Sequence, residues 1–257
     1  MVINKNKSTT KKVVIITGGA GQLGSSICCH FDELNNKVFM ADLDENICKK
    51  RISKLGLKNT FPLELDVTNI KSIESAFKKI INKFGRIDIL VNNAGISAFT
   101  SFEKRTFEEF DKVMKVNLYG TFFCSQRALY YMEKQKKGCI VNIGSVYGVK
   151  SPDPRIYGNS GRNSPEVYGA SKAGVIQMTR YLAVHVKCKK IRINCVSPGG
   201  IFNNQDKKFV KNYINKTPMK KMANEDEIAK TIVFLCSDNS SYITGQNIIA
   251  DGGFTIW

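Results

Sequence analysis

Short apolar runs alternate with longer amphipathic segments along most of this chain. The apolar runs indicate strands that are buried on both faces, and the amphipathic segments indicate helices. The predicted strands are 13–16, 37–41, 60–65, 87–91, 140–143, 191–196 and 247–250. The predicted helices are 22–35, 44–56, 69–84, about 103–133, 166–187 and 225–236. Because such alternation builds right-handed βαβ units, we expect an α/β fold: a doubly wound parallel sheet of about seven strands with helices on both faces.

Length and composition fit one globular domain. The 257 residues are 42% hydrophobic and 24% charged, which suffices for a large core without covalent staples. With no internal repeat or low-complexity linker, we expect a flexible basic tail over residues 1–11 and a single domain over 12–257. The tail lacks the apolar stretch of a signal sequence, and no apolar run is long enough to span a bilayer. We therefore expect a cytoplasmic protein without a membrane partner.

The cysteine pattern argues against a metal site and against disulfides. The eight cysteines are Cys28, Cys29, Cys48, Cys124, Cys139, Cys188, Cys195 and Cys236. They form no C-x-x-C pair, and neither of the two histidines stands at ligand spacing from one. Most lie inside apolar runs, which favours buried thiols in a reducing compartment and no bound metal.

The formal net charge of +17 has two explanations. A basic surface can serve nucleic acid, a membrane or an acidic substrate. Alternatively, a general excess of lysine coats the surface. The lysines are spread along the chain and no nucleic-acid-binding motif accompanies them, so we favour the second explanation and expect no nucleic-acid partner.

A glycine-rich turn follows the first predicted strand and opens the first helix. This glycine turn reads Thr17-Gly18-Gly19-Ala20-Gly21-Gln22-Leu23-Gly24. Glycines at these positions allow a tight turn, close approach of the backbone to a pyrophosphate, and close packing of helix on strand. The helix N-terminus then presents free N–H groups to the phosphates. The turn predicts a Rossmann-type dinucleotide site.

The ends of the next strands carry the rest of this predicted cofactor site. Asp42 can accept hydrogen bonds from the adenosine ribose and would repel a 2′-phosphate, and Leu43 rather than a basic residue follows it. NAD is therefore expected rather than NADP. The cofactor-binding residues predicted in this half of the chain are Gly18, Gly21, Gln22, Leu23, Gly24, Asp42, Leu43, Asp66, Val67, Asn93, Ala94 and Gly95.

Tyr168 and Lys172 lie four residues apart in a predicted helix and therefore share a face. A nearby ammonium is expected to lower the pKa of the phenol, which can then exchange a proton with a substrate oxygen. Ser145, at the end of the fifth strand, can hold that oxygen through its hydroxyl. Asn117 stands in the middle of a predicted helix, where asparagine has poor propensity; it is either functional or an ordinary polar surface residue.

Together these motifs resemble the short-chain dehydrogenase/reductase family, single-domain branch, from about residue 12 onward. The residues that carry the resemblance are Thr17-Gly18…Gly24, Asp66-Val67, Asn92-Asn93-Ala94-Gly95, Asn117, Ser145, Tyr168-x-x-x-Lys172, Asn194-x-x-Ser197-Pro198-Gly199, Thr244-Gly245-Gln246 and Asp251-Gly252-Gly253.

The resemblance implies a catalytic tetrad of Asn117, Ser145, Tyr168 and Lys172. It implies that Tyr168 is the acid/base, that Lys172 also binds the nicotinamide ribose, and that Asn117 holds a water. It also implies that Pro198, Gly199 and Ile201 cover the nicotinamide, and that the protein is a homotetramer or dimer.

Two departures from the family pattern stand out. Gln22 occupies the position where this branch usually has its second glycine. Ser145 and Tyr168 are 23 residues apart, which is farther than is usual in the family. The extra residues are rich in Pro, Gly, Asn and Ser, which predicts an active-site loop over 151–165.

Two segments of the chain bear on the identity of the substrate. Arg155 and Arg162 in the active-site loop either clamp an anionic group or are simply solvated. A substrate segment over 200–224 is rich in Asn and Lys, which suits a sugar or sugar phosphate. With the glycine-turn variant and the C-terminal sequence, this resembles bacterial dehydrogenases of surface-glycan and flagellin-modification pathways. We therefore expect a CH–OH oxidoreductase of carbohydrate biosynthesis. An apolar pocket without a basic group would count against this hypothesis.

Three alternatives remain. A 3-oxoacyl thioester reductase of the same fold usually uses NADPH, which Asp42 disfavours. A non-catalytic nucleotide-binding protein would not need the intact Asn, Ser, Tyr and Lys set. A nucleic-acid-binding protein would owe its affinity to the net charge and would bind with a steep salt dependence.

Overall fold

The computed structural model describes residues 11–158 and 165–257. Its strands are β1 Val13–Thr17, β2 Lys37–Asp42, β3 Thr60–Glu64, β4 Ile89–Asn92, β5 Gly138–Ile143, β6 Ile191–Pro198 and β7 Asn247–Ala250. They form one sheet in the order β3-β2-β1-β4-β5-β6-β7, and every neighbouring pair is parallel. The predicted doubly wound parallel sheet is confirmed.

The helices are α1 Gln22–Glu33, α2 Glu45–Leu55, α3 Ile70–Phe84, α4 Phe107–Met114, α5 Gly120–Lys134, α6 Glu166–His185, α7 Lys207–Lys216 and α8 Glu225–Leu235. Local chemistry sets several of their ends. The side chains of Asp44 and Asn69 accept backbone N–H groups at the starts of α2 and α3. Gly56 and Gly85 end the same two helices in the left-handed conformation, which glycine adopts without a steric penalty.

Two apolar layers cover the sheet. Alternate residues of β1 point to opposite faces: Val13 and Ile15 join a core with α3 and α5, whereas Val14 and Ile16 join a core with α1 and α8. Because both faces are covered, the strands are continuous apolar runs rather than alternating ones. The eight cysteines all lie in described ranges as free thiols, and six are buried.

The site position follows from the strand order. The chain runs outward from β1 to β3, returns to β4 beside β1, and then continues to β7 on the other side. A crevice therefore opens at the carboxyl ends of β1 and β4, where such sheets bind ligands. In the described ranges, no helix is long and apolar enough to cross a membrane.

The long helix predicted over 103–133 is wrong in detail. The structure has a short 3-10 turn at Phe102–Lys104, then α4, a π-helical turn at Lys115–Tyr119, and α5. A π-helical turn inside a helix marks a local widening and is common at functional sites. Gly120, directly after it, lies so close to Val67 that an added Cβ would stand 2.7 Å from a Val67 methyl carbon.

The sequence analysis predicts no helix in the substrate segment, because its composition is typical of a polar loop, but the structure has α7 there. Asp206 caps the helix by accepting the backbone N–H groups of residues 208 and 209. Its apolar residues Phe209, Val210, Tyr213 and Ile214 fall on one face at helical spacing and pack in one cluster. The Asn and Lys residues of the segment occupy the other face.

Candidate active site

A cavity of about 820 Å³ lies beside the start of α1, at the carboxyl ends of the strands in the first half of the sheet. We call it the glycine-turn cavity. Its lining residues are Gly18, Gly21, Gln22, Leu23, Gly24, Asp42, Leu43, Leu65, Asp66, Val67, Thr68, Asn93, Ala94, Gly95, Ile96, Asp111, Lys112, Lys115 and Val116. Every residue that the sequence predicts for the cofactor between Gly18 and Gly95 is in this set.

Close backbone contacts hold the glycine turn against the end of β4. Gly18 has a φ of +61°, and a Cβ there would stand 2.9 Å from the Cα of Ala94. Asn93 Nδ2 donates to the carbonyls of Thr17 at 3.0 Å and Gly18 at 2.9 Å. Thr17 Oγ1 accepts the backbone N–H groups of Asn93 and Ala94 at 3.1 and 3.0 Å. A side chain at Gly18 would therefore break this arrangement.

The start of α1 leaves its backbone amides open to the glycine-turn cavity. Gly21 precedes the helix without any side-chain cap, and a Cβ added there would meet only the Gly18 carbonyl oxygen within 4 Å. Uncapped N–H groups at a helix N-terminus bind phosphate oxygens. The residues present therefore fit a pyrophosphate.

Asp42 stands at the far end of this cavity. Its Oδ2 accepts the Ala20 N–H at 3.1 Å and its Oδ1 accepts the Leu43 N–H at 2.9 Å. A carboxylate oxygen has two lone pairs, so each oxygen keeps capacity for a hydroxyl donor. This geometry fits the two hydroxyls of a ribose.

Gln22 uses its amide for protein contacts. Nε2 donates to the Phe202 carbonyl at 2.7 Å and to Glu225 Oε2 at 3.1 Å. The residue that replaces the family's usual glycine therefore ties the glycine turn to the start of the substrate segment and to α8.

Lys172 is almost fully buried, with 3% of its surface exposed. Its Nζ donates to the Ile143 carbonyl at 2.8 Å and stands 5.7 Å from the Tyr168 ring centroid. Burial disfavours the ammonium form and lowers the pKa of Lys172 to about 8. An added Cβ on Gly95 would lie 3.4 Å from this Nζ, so the glycine keeps the ammonium close to the glycine-turn cavity.

The ionisation expected for Tyr168 is corrected by the structure. Burial raises the pKa of the phenol, and the nearby Ser145 hydroxyl opposes this only in part. The sequence argument counted the attraction of the Lys172 ammonium but not the loss of solvent around both groups. In this structure Tyr168 is therefore a neutral acid at pH 7.

The Ser145 hydroxyl lies beside the Tyr168 phenol. Its Oγ accepts the backbone N–H of Tyr147 at 3.1 Å, which uses a lone pair and leaves the O–H as a donor. The backbone is extended, and the residue is 6% exposed. Ser145 and Tyr168 thus form one polar point for a substrate oxygen.

Asn117 is fully buried in the π-helical turn, so the surface interpretation is wrong. Its Oδ1 accepts the Ile96 N–H at 2.8 Å, and its Nδ2 donates to the Ile96 carbonyl and to Ser171 Oγ, both at 3.0 Å. Ser171 Oγ in turn donates to the Tyr168 carbonyl at 2.8 Å. Asn117 therefore connects the segment after β4 to the helix that carries Tyr168 and Lys172.

A second cavity of about 450 Å³ adjoins Ser145 and Tyr168. We call it the aromatic cavity. Its lining residues are Gly95, Ile96, Ser97, Phe99, Ser145, Val146, Tyr147, Tyr157, Pro165, Tyr168, Pro198, Gly199, Gly200, Ile201, Gln205, Asp206, Phe209, Tyr213 and Met222. Pro198, Gly199 and Ile201, which are predicted to cover the nicotinamide, line this cavity. Among the described residues that line it, none is Lys, Arg or His.

Arg155 of the active-site loop does not supply a cation to this lining. Arg155 pairs with Asp153 at 2.8 Å, its side chain is 82% exposed, and it borders a different cavity. Arg162 lies outside the described residues.

Comparison with known proteins identifies the family. The family model described as "Enoyl-(Acyl carrier protein) reductase" matches residues 18–255. The 3-oxoacyl-[acyl-carrier-protein] reductase FabG of Thermotoga maritima is 38% identical over 95% of this chain and 98% of its own length. The 7alpha-hydroxysteroid dehydrogenase of Bacteroides fragilis is 32% identical over 95% of each chain. A short-chain dehydrogenase of Leptospira borgpetersenii, solved with bound NAD⁺, has a TM-score of 0.88 at 43% identity and covers 99% of this chain and 98% of that one.

The chain belongs to the short-chain dehydrogenase/reductase family. It is an oxidoreductase that acts on CH–OH groups.

Sequence reasoning misses the aromatic residues of this short-chain dehydrogenase/reductase. Tyr147, Tyr157, Phe209 and Tyr213 line the aromatic cavity but belong to no family motif used above. One signal was present: Phe209 and Tyr213 stand four residues apart in a segment that is otherwise polar, which is the spacing of a helix face. Tyr147 gave no signal beyond its position two residues after Ser145.

Proposed function

We propose that this chain is an NAD-dependent oxidoreductase that interconverts a secondary alcohol and a ketone on an uncharged substrate with an apolar body. The composition of the aromatic cavity carries this proposal. Its described lining is mainly aromatic and aliphatic and contains no cationic side chain. A buried phosphate or carboxylate without a counter-charge costs much free energy, so this lining favours a neutral substrate.

The same observation weighs against a phosphorylated sugar. The polarity of the substrate segment suggested that class, but its Asn and Lys residues are not the ones that line the cavity. The apolar face of α7, with Phe209 and Tyr213, is turned toward it instead. An uncharged hydroxylated ring remains compatible with this lining.

Within the proposed reaction, each catalytic side chain has a definite task. Tyr168 gives its phenolic proton to the substrate oxygen in the reducing direction and takes a proton from it in the oxidising direction. Ser145 donates a hydrogen bond to the same oxygen. The Lys172 ammonium lies next to Gly95, which lines the glycine-turn cavity, and it can bind ribose hydroxyls of a cofactor placed there. A bound nicotinamide supplies or accepts the hydride.

The choice of NAD rests on Asp42. Its two oxygens remain available to ribose hydroxyls, and its charge opposes a 2′-phosphate. The solved Leptospira relative at 43% identity holds NAD⁺, which agrees with this choice. The homo-oligomer that the family resemblance implies stays a prediction.

A 3-oxoacyl thioester is the second candidate substrate. Relatives named 3-oxoacyl-[acyl-carrier-protein] reductase reach 38% identity, and the apolar lining suits an acyl chain. This candidate belongs to the same reaction type, so one substrate panel separates the two.

The test is a panel of ketones assayed by the disappearance of NADH. We expect turnover of uncharged ketones such as 4-methylcyclohexanone or ethyl 3-oxobutanoate. Dihydroxyacetone phosphate should give a kcat/KM at least about tenfold lower, because the lining leaves its dianion unpaired. Preference for 3-oxobutanoyl-N-acetylcysteamine would favour the thioester candidate. Turnover of the phosphorylated ketone alone would contradict the proposal.

Replacing Asp42 with serine tests the cofactor assignment. We expect kcat/KM with NADH to fall about ten- to a hundredfold, because charge-assisted hydrogen bonds are lost. The same change should raise kcat/KM with NADPH, because the repulsion of the 2′-phosphate disappears. Steady-state assays with both cofactors give the ratio directly.

Asp111→Asn is the matched control for that experiment. Asp111 lines the same cavity as Asp42, but it pairs with Lys115 and does not lie at the end of β2. Its replacement by asparagine removes one negative charge, as Asp42→Ser does. A cofactor ratio that changes equally in both variants would mean that net charge, not a ribose contact, sets the preference.

A further inference from the structure

We propose that Tyr147 and Tyr157 form a specificity-determining pair that binds a second oxygen of the substrate, a carbonyl or a hydroxyl away from the reacting carbon. The inference rests on the proposed function and narrows its substrate class. The substrate would be a ketone or secondary alcohol with one further neutral oxygen on an apolar body.

Contacts of each residue with its neighbours hold the two tyrosines in place. Tyr147 follows β5 in a 3-10 turn, and its N–H is bound by Ser145 Oγ. Tyr157 follows a second 3-10 turn, and its ring packs on Phe209 of α7 with centroids 5.4 Å apart. The two hydroxyl oxygens meet at 3.2 Å, and both residues line the aromatic cavity.

Three other polar side chains of the described lining each make hydrogen bonds to the protein backbone. Gln205 donates from Nε2 to the Ile201 carbonyl and accepts the Asn203 N–H at Oε1. Asp206 accepts two N–H groups at the start of α7. Tyr213 accepts the Gly200 N–H at 2.6 Å.

Ser145 and Tyr168 take the reacting oxygen, and Ser97 of the same lining is exposed to solvent. The Tyr147–Tyr157 pair is a further polar point of the lining, with two hydroxyls side by side. A half-buried polar pair in a mainly apolar wall discriminates between substrates that can and cannot hydrogen-bond with it.

The pair suits a neutral group of either polarity. Either hydroxyl can be the donor in their mutual hydrogen bond. If Tyr157 donates, Tyr147 offers its own proton to a substrate carbonyl; if Tyr147 donates, its oxygen accepts from a substrate hydroxyl. Burial raises the pKa of Tyr147 above its ordinary value, so it stays neutral and takes no part in proton transfer.

The test compares ketones that differ by one oxygen, in the wild type and in Tyr147→Phe and Tyr157→Phe. One pair is ethyl 3-oxobutanoate and 4-ethoxybutan-2-one, which lacks the ester carbonyl. The other is 4-hydroxycyclohexanone and 4-methylcyclohexanone. We expect each variant to lower the kcat/KM ratio within a pair about five- to tenfold, the effect of one lost hydrogen bond.

The ratio within one variant is independent of the folded fraction, and its comparison with the wild-type ratio cancels the different intrinsic reactivities of the two ketones. Tyr213→Phe is the comparison variant, because Tyr213 lines the same cavity and its hydroxyl accepts the Gly200 N–H. It should affect both members of a pair alike, and a ratio that falls only in Tyr213→Phe would overturn the inference. Ratios that stay within twofold of the wild type in both Phe variants would overturn the inference alone. A wild-type protein that reduces none of these ketones with NADH or NADPH would overturn the proposed function and, with it, this inference.

Discussion

Changing Tyr168 to phenylalanine should lower kcat for ketone reduction about a thousandfold, within the range known for a positioned general acid. The ring would still fill its place at the wall of the aromatic cavity. What disappears is the proton for the substrate oxygen, and the Ser145 hydroxyl beside it has no base to activate it.

Two measurements check this result. Single-turnover kinetics with NADH isolates the chemical step, and NADH fluorescence titration should give a Kd within about twofold of the wild type, as expected for a change that spares binding. Tyr181→Phe is the control, because Tyr181 lies on the same helix and is 58% exposed. Retention of more than a tenth of the wild-type kcat would show that another group supplies the proton.

Changing Lys172 to methionine should abolish most activity and at the same time stabilise the fold. We expect kcat to fall about a hundredfold or more, because the ammonium that favours proton release from Tyr168 is lost. NADH should also bind more weakly, because the ammonium beside Gly95 in the wall of the glycine-turn cavity is lost.

The stability gain follows from the pKa. Burial lowers the pKa of Lys172 in the folded chain to about 8 from an ordinary value of 10.5, so the charged form costs the folded state free energy at pH 7. A shift of this size corresponds to about 3 kcal/mol, and the apolar methionine stem can recover part of it.

The pH dependence has a definite sign. Between about pH 8 and 10.5 the folded chain has lost this proton while the unfolded chain keeps it, so wild-type stability rises with pH in that window. The methionine variant lacks this rise. Urea unfolding at pH 7 and pH 9.5 measures both effects, with the exposed Lys187→Met as control. A variant that is less stable than the wild type at pH 7 would contradict this account.

The cofactor half of the site could be predicted from the sequence, because its residues directly follow successive strands along the chain. A parallel sheet brings the carboxyl ends of its strands to one edge, so residues that follow successive apolar runs must meet there. Gly18, Asp42 and Asn93 follow β1, β2 and β4 in this way, and they line one cavity. The succession of strands along the chain was enough to predict the set.

The order of helices and strands along the chain could also be predicted from the sequence, but two local features could not. The π-helical turn around Asn117 depends on a contact with Ile96 that lies outside the helix. Helix α7 depends on an apolar face that packs against the rest of the aromatic cluster, and four apolar residues in a polar segment are a weak signal by themselves.

By itself, the sequence determined the succession of strands and helices along the chain, the glycine turn and the Tyr168–Lys172 spacing. Only the tertiary structure decided which way the substrate segment faces, where Arg155 is paired, and which ionisation states Tyr168 and Lys172 prefer. The physical reason is how far apart along the chain the interacting residues lie. Helix and strand signals act over a few residues, whereas burial, desolvation and cavity lining are set by side chains far apart in the chain.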